Sequence, residues 1–215
     1  MKKIYSLALA FFTLSLLSGC AGSYHVLQPS KMAFTKATET PDITLEYHYN
    51  ALTEANNKKY YKKEIKHGLQ LVMLKITNNS QADLEYNKNY QLYTGANVLS
   101  ILPTPTVYTQ LKQQVPLYLL YMLLTSVNLY TTSATTGGTL QKSDTKTYPI
   151  GLILGPGITA INMITASSAN TKFKADLETN NIFNKVIKKG ESAFVVVGIN
   201  STSFQPISIK AIESK

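Results

Sequence analysis

Two long stretches in the middle of this 215-residue chain carry no charged side chain. The first runs from Gln113 to Gln141 and the second from Thr147 to Thr171, and only Lys142, Asp144 and Lys146 are charged between them. A helix or strand at the surface of a soluble protein normally carries polar or charged side chains on its solvent face. The fold must therefore bury these stretches, cover them with a partner or place them in lipid.

The patterns inside these stretches favour helices. Pro116 opens an unbroken Leu-rich run, and proline is preferred in the first turn of a helix. Farther along, Gly155-Pro156-Gly157 interrupts the chain, after which apolar residues recur near helical spacing. We predict an inserted apolar helical hairpin over residues 107–181, with a Thr/Gly-rich loop at 131–147 and the second helix beginning at Pro156.

Three roles are open for this hairpin. It could cover a face of the surrounding domain, enter the bilayer, or form a surface over residues 107–178 for self-association or a protein partner. Tyrosines suited to the lipid–water boundary support the second role: Tyr108, Tyr118, Tyr121 and Tyr130. Small residues that permit close approach of a partner support the third: Gly151, Gly155, Ala160 and Ala166.

The flanking segments, residues 42–106 and 182–215, are rich in strand patterns. Apolar residues alternate with polar ones over residues 43–49, whereas residues 69–77 are apolar on both faces, as expected of a central strand. Further strand candidates, separated by Asn, Gly and Pro turns, are residues 90–93, 98–102, 182–187, 193–199 and 207–209. This spacing predicts a mainly β fold, an antiparallel β-sandwich carrying the α insertion.

Two of these segments, LVMLKITNNS at 71–80 and VIKKGESAFVVVGI at 186–199, resemble a family of immunoglobulin-like domains found on bacterial lipoproteins. The resemblance implies an immunoglobulin-like sandwich. It also implies adhesion, scaffolding or partner binding as the function, with no shared active site.

The N-terminus has the pattern of a secretory signal peptide. Met1-Lys2-Lys3 is basic, residues 4–17 are uncharged and mostly apolar, and Leu17-Ser18-Gly19-Cys20 follows. An apolar run of 14 residues rises only about 21 Å as a helix, which is short for a permanent membrane span. We predict a signal peptide at residues 1–19.

Leu17-Ser18-Gly19-Cys20 also resembles the lipobox of bacterial lipoproteins. The resemblance implies lipid attachment at Cys20, the single cysteine, and hence a membrane partner through the N-terminal lipid. Because no acidic residue appears before Glu39, it further implies the periplasmic face of the outer membrane. Residues 20–41, which contain Gly22 and two prolines, are predicted to be a lipidated tether.

All 21 basic side chains are lysines, and the chain has no arginine. They are densest in one run, which contains Lys58, Lys59, Lys62, Lys63 and Lys66. This run could be a patch for an anionic surface, or a hairpin or edge strand whose lysines block unwanted sheet pairing. Nucleic acid is not expected as a partner, since the arginine fork that suits phosphates and base edges is absent.

No sequence motif indicates a catalytic or cofactor site. Gly155-Pro156-Gly157-Ile158-Thr159-Ala160 matches G-x-G-x-x-A but lacks the following strand that ends in an acidic residue. His48 is expected to be solvated, and Asp176 and Glu178 are expected to be surface acids. We therefore expect a non-catalytic binding, scaffolding or assembly component with no cofactor or metal. The alternatives are a component whose hairpin contacts the membrane and an enzyme acting on an envelope polymer.

Overall fold

The computed structural model describes residues 19–134, 143–201 and 203–212. Residues 1–18 of the predicted signal peptide lie outside this described part. The fold is mixed α/β, with several antiparallel sheets and one long apolar helix. The chain divides into two compact units. We call the described residues 19–21, 114–134 and 143–167 the apolar unit, and we call the described remainder of the chain the sheet unit.

The strands, in chain order, are β1 (Thr35–Glu39), β2 (Ile43–His48), β3 (Gln70–Asn78), β4 (Leu84–Glu85), β5 (Tyr90–Thr94), β6 (Asn97–Val98), β7 (Ile101–Leu102), β8 (Leu129–Ala134), β9 (Ser143–Tyr148), β10 (Val186–Ile187), β11 (Ser192–Ile199) and β12 (Ile207–Ala211). The α-helices are α1 (Ala51–Glu54), α2 (Lys58–His67), α3 (Thr104–Leu111) and α4 (Gly151–Thr179). 3₁₀ helices cover Pro29–Lys31, Val115–Ser126 and Ile182–Asn184.

The main sheet of the sheet unit has the strand order β1-β2-β3-β11-β7, and every pairing in it is antiparallel. Strand β3 is its centre and pairs with β11 from Ser192 opposite Thr77 to Ile199 opposite Gln70. As the sequence pattern predicts, β3 is buried on both faces. Val72 and Leu74 enter one hydrophobic cluster, whereas Leu71 and Met73 enter another.

A second β layer covers one face of the main sheet. It consists of the three-stranded sheet β12-β5-β6 and the pair β10-β4. Apolar residues from both layers form one buried cluster, to which β5 contributes Tyr90 and Leu92 and β12 contributes Ile207 and Ile209. The predicted antiparallel β packing is thus present in the sheet unit.

Helices cover the opposite face of the main sheet. Tyr60 of α2, Val107 and Leu111 of α3, and Phe173 near the end of α4 pack with Leu71 and Met73. The rings of Tyr24, Tyr60 and Phe173 contact one another, with centroid separations of 5.0 Å, 5.2 Å and 4.6 Å. Such tilted and edge-on contacts are the favoured geometries for aromatic pairs. The helix layer is a second core that the strand pattern did not predict.

The predicted helical hairpin at 107–181 is wrong in its first arm. Residues 107–113 and 168–181 lie in the sheet unit. The Leu-rich run is a 3₁₀ helix over Val115–Ser126, and the predicted loop at 131–147 contains parts of the antiparallel strands β8 and β9. Residues 135–142 lie outside the described part. Repeated Thr, with Tyr and Leu, favours strands at the positions that form β8.

The predicted helix start at Pro156 is also wrong, because α4 begins at Gly151 and continues through that proline. A proline here removes one i to i−4 hydrogen bond but does not by itself end the helix. The long apolar helix therefore extends over both glycines of the apparent break.

Candidate membrane-contacting surface

The apolar unit exposes many large apolar side chains. Exposed members of the 3₁₀ helix and the residues just after it are Leu117, Leu119, Leu120, Met122, Leu123, Val127, Leu129 and Tyr130. In the segment 148–167 they are Tyr148, Leu152, Ile153, Leu154, Ile161 and Ile164. The exposed fraction reaches 74% at Leu123 and 79% at Ile153. Soluble monomers rarely expose large contiguous apolar patches to water.

The first part of α4 has the reverse of the polarity expected in a soluble helix. Its buried side carries small or polar residues, namely Gly151, Gly155, Thr159, Asn162 and Ala166. Its leucines and isoleucines are exposed instead, except for the half-buried Ile158. Thr159 and Asn162 satisfy their donors on carbonyls of their own helix, at 2.8 Å to Gly155 O and 2.8 Å to Ile158 O. Small and polar residues inside and large apolar residues outside are typical of helices in contact with lipid.

Glycines fix the 3₁₀ helix against α4. The backbone N–H of Gly151 donates to Val127 O at 2.9 Å. A Cβ on Gly151 would lie 2.7 Å from Thr125 O and from Val127 N, and one on Gly155 would lie 2.7 Å from Thr125 Cγ2. The two backbones can approach this closely only because both residues lack a side chain.

The β8–β9 hairpin divides into an apolar base and a polar end. Leu129 pairs with Tyr148 at the base, whereas Thr132 pairs with Thr145 near the other end. Lys146 is exposed on the polar part. The charged positions in the described part of this hairpin, Asp144 and Lys146, therefore pair with Ser133 and Thr131, beyond the apolar base.

Cys20, the predicted lipid attachment site, lies in the apolar unit. The Tyr121 hydroxyl of the 3₁₀ helix hydrogen-bonds the Cys20 side chain, and the Tyr121 ring stacks on Tyr118 at a centroid separation of 6.4 Å. The next residue, Ala21, donates its N–H to Asn162 Oδ1 on α4 at 2.5 Å. The buried amide of α4 thus holds the backbone that carries the predicted acyl attachment.

The residues after Cys20 are fixed by side-chain amides instead of forming a free tether. Gln113 accepts the N–H of Gly22 at 3.0 Å and donates to Gly22 O at 2.7 Å. Asn57 binds both backbone groups of His25 in the same way, at 2.8 Å each. Each amide imitates the paired hydrogen bonds of a neighbouring strand.

Other parts of the predicted tether are also structured. Asp176 Oδ2 accepts the Tyr24 hydroxyl at 2.7 Å and the Leu27 N–H at 2.9 Å. Residues 35–39 form the edge strand β1. Asp176 is buried, so its expected role as a surface acid is wrong: a carboxylate is retained there because several donors converge on it.

The lysine run forms helix α2, so the alternative of a hairpin or edge strand is wrong. Tyr60 and Glu64 are buried one turn apart, and Gly68, with a φ of 62°, ends the helix in the left-handed conformation. Lys58, Lys62 and Lys66 share one exposed face. The i, i+4 spacing of Tyr60 and Glu64, followed by Gly68, was the sequence signal for this helix.

His48 is buried, so its expected exposure to solvent is also wrong. Its Nδ1 lies 2.7 Å from Ala33 O, and its Nε2 lies 3.1 Å from Glu54 Oε2. The loop before β1 and helix α1 supply these two groups, which a strand pattern alone does not reveal.

Glu64 is a buried carboxylate at the edge of a cavity of about 280 Å³, which Tyr61, Gln70 and Phe204 also line. Its Oε1 accepts the N–H of Leu71 at 2.6 Å. Burial raises the pKa of Glu64 to about 7, and the Leu71 hydrogen bond opposes that shift. In the residues that the structure describes, no group of three or more His, Cys, Asp or Glu side chains forms a candidate metal site.

Among the described residues, one helix, α4, is long and apolar enough to cross a membrane by length and composition. Comparison of the sequence and structure with protein-family models, curated proteins and solved structures found no match.

Proposed function

We propose that this protein is a lipid-anchored lipoprotein of the cell envelope whose apolar unit inserts into the leaflet that holds its acyl chains. The sheet unit then serves as a non-catalytic binding or assembly module at the membrane surface. Following the lipobox resemblance, the site of anchoring is Cys20 and the location is the periplasmic face of the outer membrane. We also retain an immunoglobulin-like sandwich for the sheet unit, supported by its two antiparallel β layers.

The reversed polarity of α4 carries this proposal. Exposure of Leu152, Ile153 and Ile161 to water costs up to roughly 1.5 to 3 kcal/mol each relative to full burial. Exposure of the same side chains to hydrocarbon does not carry this cost. The buried Gly151, Gly155 and Asn162 meanwhile satisfy close packing and hydrogen bonding inside the unit. This arrangement makes lipid a better solvent than water for the outer surface of the unit.

The length of α4 in the apolar unit favours partial insertion. Residues 151–167 rise about 25 Å, less than the roughly 30 Å of a hydrocarbon core. The remainder of the helix contributes buried residues such as Phe173 and Leu177 to the core of the sheet unit. We therefore propose that this part of the helix enters the hydrocarbon core without spanning it completely.

Acylation and insertion reinforce one another. A single acyl chain gives only marginal membrane binding, and a second hydrophobic element makes the attachment stable. Tyr121 and Asn162 place Cys20 on the apolar unit, so both hydrophobic elements are held by the same short segment.

The second candidate is self-association or a protein partner at the same surface. The exposed residues of the apolar unit favour it equally well if the protein lies outside the hydrocarbon region. The two candidates differ in what surrounds Leu123 and Ile153.

Single-cysteine probes distinguish them. Because Cys20 is the only natural cysteine and acylation blocks it, Leu123→Cys and Ile153→Cys each provide one free thiol for an environment-sensitive fluorophore. In vesicles containing nitroxide-labelled acyl chains, we expect blue-shifted and quenched emission at both positions. The matched control is Lys146→Cys, on the polar part of the β8–β9 hairpin. Its fluorophore is expected to show the unshifted, unquenched emission of a water-exposed position.

Emission at Leu123 and Ile153 that matches the Lys146 control would contradict insertion. Blue-shifted emission at Leu123 and Ile153 without nitroxide quenching, together with crosslinked dimers in detergent, would favour self-association. Mass spectrometry of the mature N-terminal peptide tests acylation separately, and an unmodified Cys20 would contradict the anchor.

A further inference from the structure

The exposed face of α2 is strongly cationic. Lys58, Lys62 and Lys66 are exposed along it, and Lys59 and Lys63 flank them in partly buried positions; we call these five residues the lysine face. Among the described residues, no ion pair involves Lys58, Lys62 or Lys66. Lys58, Lys62 and Lys66 therefore present three positive charges, without an ion pair to any described residue, on one side of a short helix.

The lysine face adjoins the segment that follows the proposed anchor. A Cβ on Gly22 would lie 2.6 Å from Lys59 Cγ, so the Gly22 backbone lies directly against the Lys59 stem. Gly22 is two residues after Cys20, which limits the backbone distance between them to about 7 Å. Gln113 holds both backbone groups of Gly22, so this short connection is fixed at its sheet-unit end.

Like charges crowd the flank of this face. The Lys63 ammonium donates to Lys112 O, and its pKa is lowered by partial burial, by Lys66 and by Lys112. Anionic groups placed next to the face would relieve this repulsion. Lysine ammonium groups are compact point charges that need no fixed geometry, which suits mobile headgroups.

We propose that the lysine face binds the anionic headgroups of the bilayer in which the protein is anchored. This inference rests on the proposed function for the proximity of a membrane. It adds a preferred lipid charge and a preferred orientation of α2 toward the headgroups. Basic residues near an anionic surface contribute a factor of about five in binding each.

Vesicle partitioning of the mature chain, residues 20–215 carrying Cys20→Ala, tests the proposal, because removal of the signal peptide and the acyl chains leaves the weaker contacts measurable. One vesicle set is phosphatidylcholine alone, and the other is equal parts phosphatidylcholine and phosphatidylglycerol. We expect at least about tenfold stronger partitioning onto the anionic set, decreasing as salt is added.

Charge reversal assigns the effect to α2. The variant K58E/K62E/K66E is expected to lose the preference for anionic vesicles and to keep its binding to neutral ones. The control K188E/K189E/K210E makes the same change of charge at exposed lysines of the layer on the other face of the main sheet, and it should retain most of the preference. K58Q/K62Q/K66Q provides a milder second test should reversal impair folding.

The outcomes separate the two proposals. Equal partitioning of the Cys20→Ala protein with its lysines intact onto both vesicle sets, or equal losses in the α2 and control variants, would overturn the lysine-face proposal. Binding to anionic vesicles alone would support the lysine face and contradict independent insertion by the apolar unit. Binding to neither vesicle set would overturn both.

Discussion

The Asn170 side chain binds both backbone groups of Gln113. The Gln113 N–H donates to Asn170 Oδ1 at 2.8 Å, and Asn170 Nδ2 donates to Gln113 O at 2.8 Å. Asn170 Oδ1 also accepts the Tyr60 hydroxyl at 3.1 Å. The Gln113 side chain in turn binds the backbone of Gly22. The buried Asn170 amide therefore supports the chain at Gln113 directly and at Gly22 through Gln113.

Asn170→Ala should destabilise the sheet unit strongly. The change leaves the buried N–H and C=O of Gln113 and the Tyr60 hydroxyl without these partners, and each such loss costs about 1 to 3 kcal/mol. We expect a decrease of at least about 3 kcal/mol in the free energy of unfolding measured by urea denaturation. Lys172→Ala, an exposed neighbour on α4, should change it by less than about 0.5 kcal/mol. Equal small effects of the two variants would contradict a structural role for the amide.

Tyr24→Phe tests whether the segment after Cys20 is held rigidly. It removes the hydrogen bond to the buried Asp176 carboxylate, and a bond to a charged group contributes about 1.5 to 3 kcal/mol. We expect a loss of this size and faster hydrogen exchange at the Leu27 amide, which shares the same carboxylate oxygen. Tyr130→Phe, at an exposed hydroxyl, should leave both measurements unchanged. Unaltered exchange at Leu27 in Tyr24→Phe would mean that the hydroxyl does not hold this segment.

Gly155→Ala should disrupt the apolar unit, whereas Gly157→Ala should not. A Cβ on Gly155 would lie 2.7 Å from Thr125 Cγ2 and 3.0 Å from Thr125 N, while a Cβ on Gly157 would have no atom within 4 Å. Overpacking of this kind costs about 1 to 3 kcal/mol, and alanine in an open helical site gains up to about 1 kcal/mol. Thermal unfolding in detergent micelles measures both changes. A Gly155→Ala protein as stable as Gly157→Ala would show that the two backbones are not closely packed there.

Glu64 should make stability depend on pH. Its pKa is about 7 in the folded protein against an ordinary value of 4.5, so the folded state binds the extra proton between these values. Stability should therefore decrease as pH rises from about 4.5 to about 7, by on the order of 3 kcal/mol at most, and change no further through this group above pH 7.

Glu64→Gln should remove that dependence. The neutral amide keeps an acceptor for the Leu71 N–H without burying a charge, so the variant should be the more stable protein at pH 8. Urea denaturation across this pH range measures the effect, with Glu178→Gln, at a side chain 59% exposed, as the control. If the pH slope persists in Glu64→Gln, another group is responsible for it.

The sequence alone determined the features that depend on local pattern. Residues 71–74 are apolar in succession and therefore present apolar side chains on both faces, which is the pattern of a central strand such as β3. The missing charges of residues 113–141 and 147–171 required a segment without an ordinary solvent face, which is the apolar unit. Both features depend on residues that are close together in the sequence, so the sequence pattern is sufficient to predict them.

Only the tertiary structure decided which groups meet across the chain. Asp176 and His48 look like surface residues by spacing, but they are buried where Tyr24, Leu27 and Ala33 supply hydrogen-bond partners from distant segments. The polarity of α4 could likewise not be assigned, because its glycines face inward only once the 3₁₀ helix lies against them. Burial is fixed by non-local packing and hydrogen bonding, and a residue's own neighbours in sequence do not encode it.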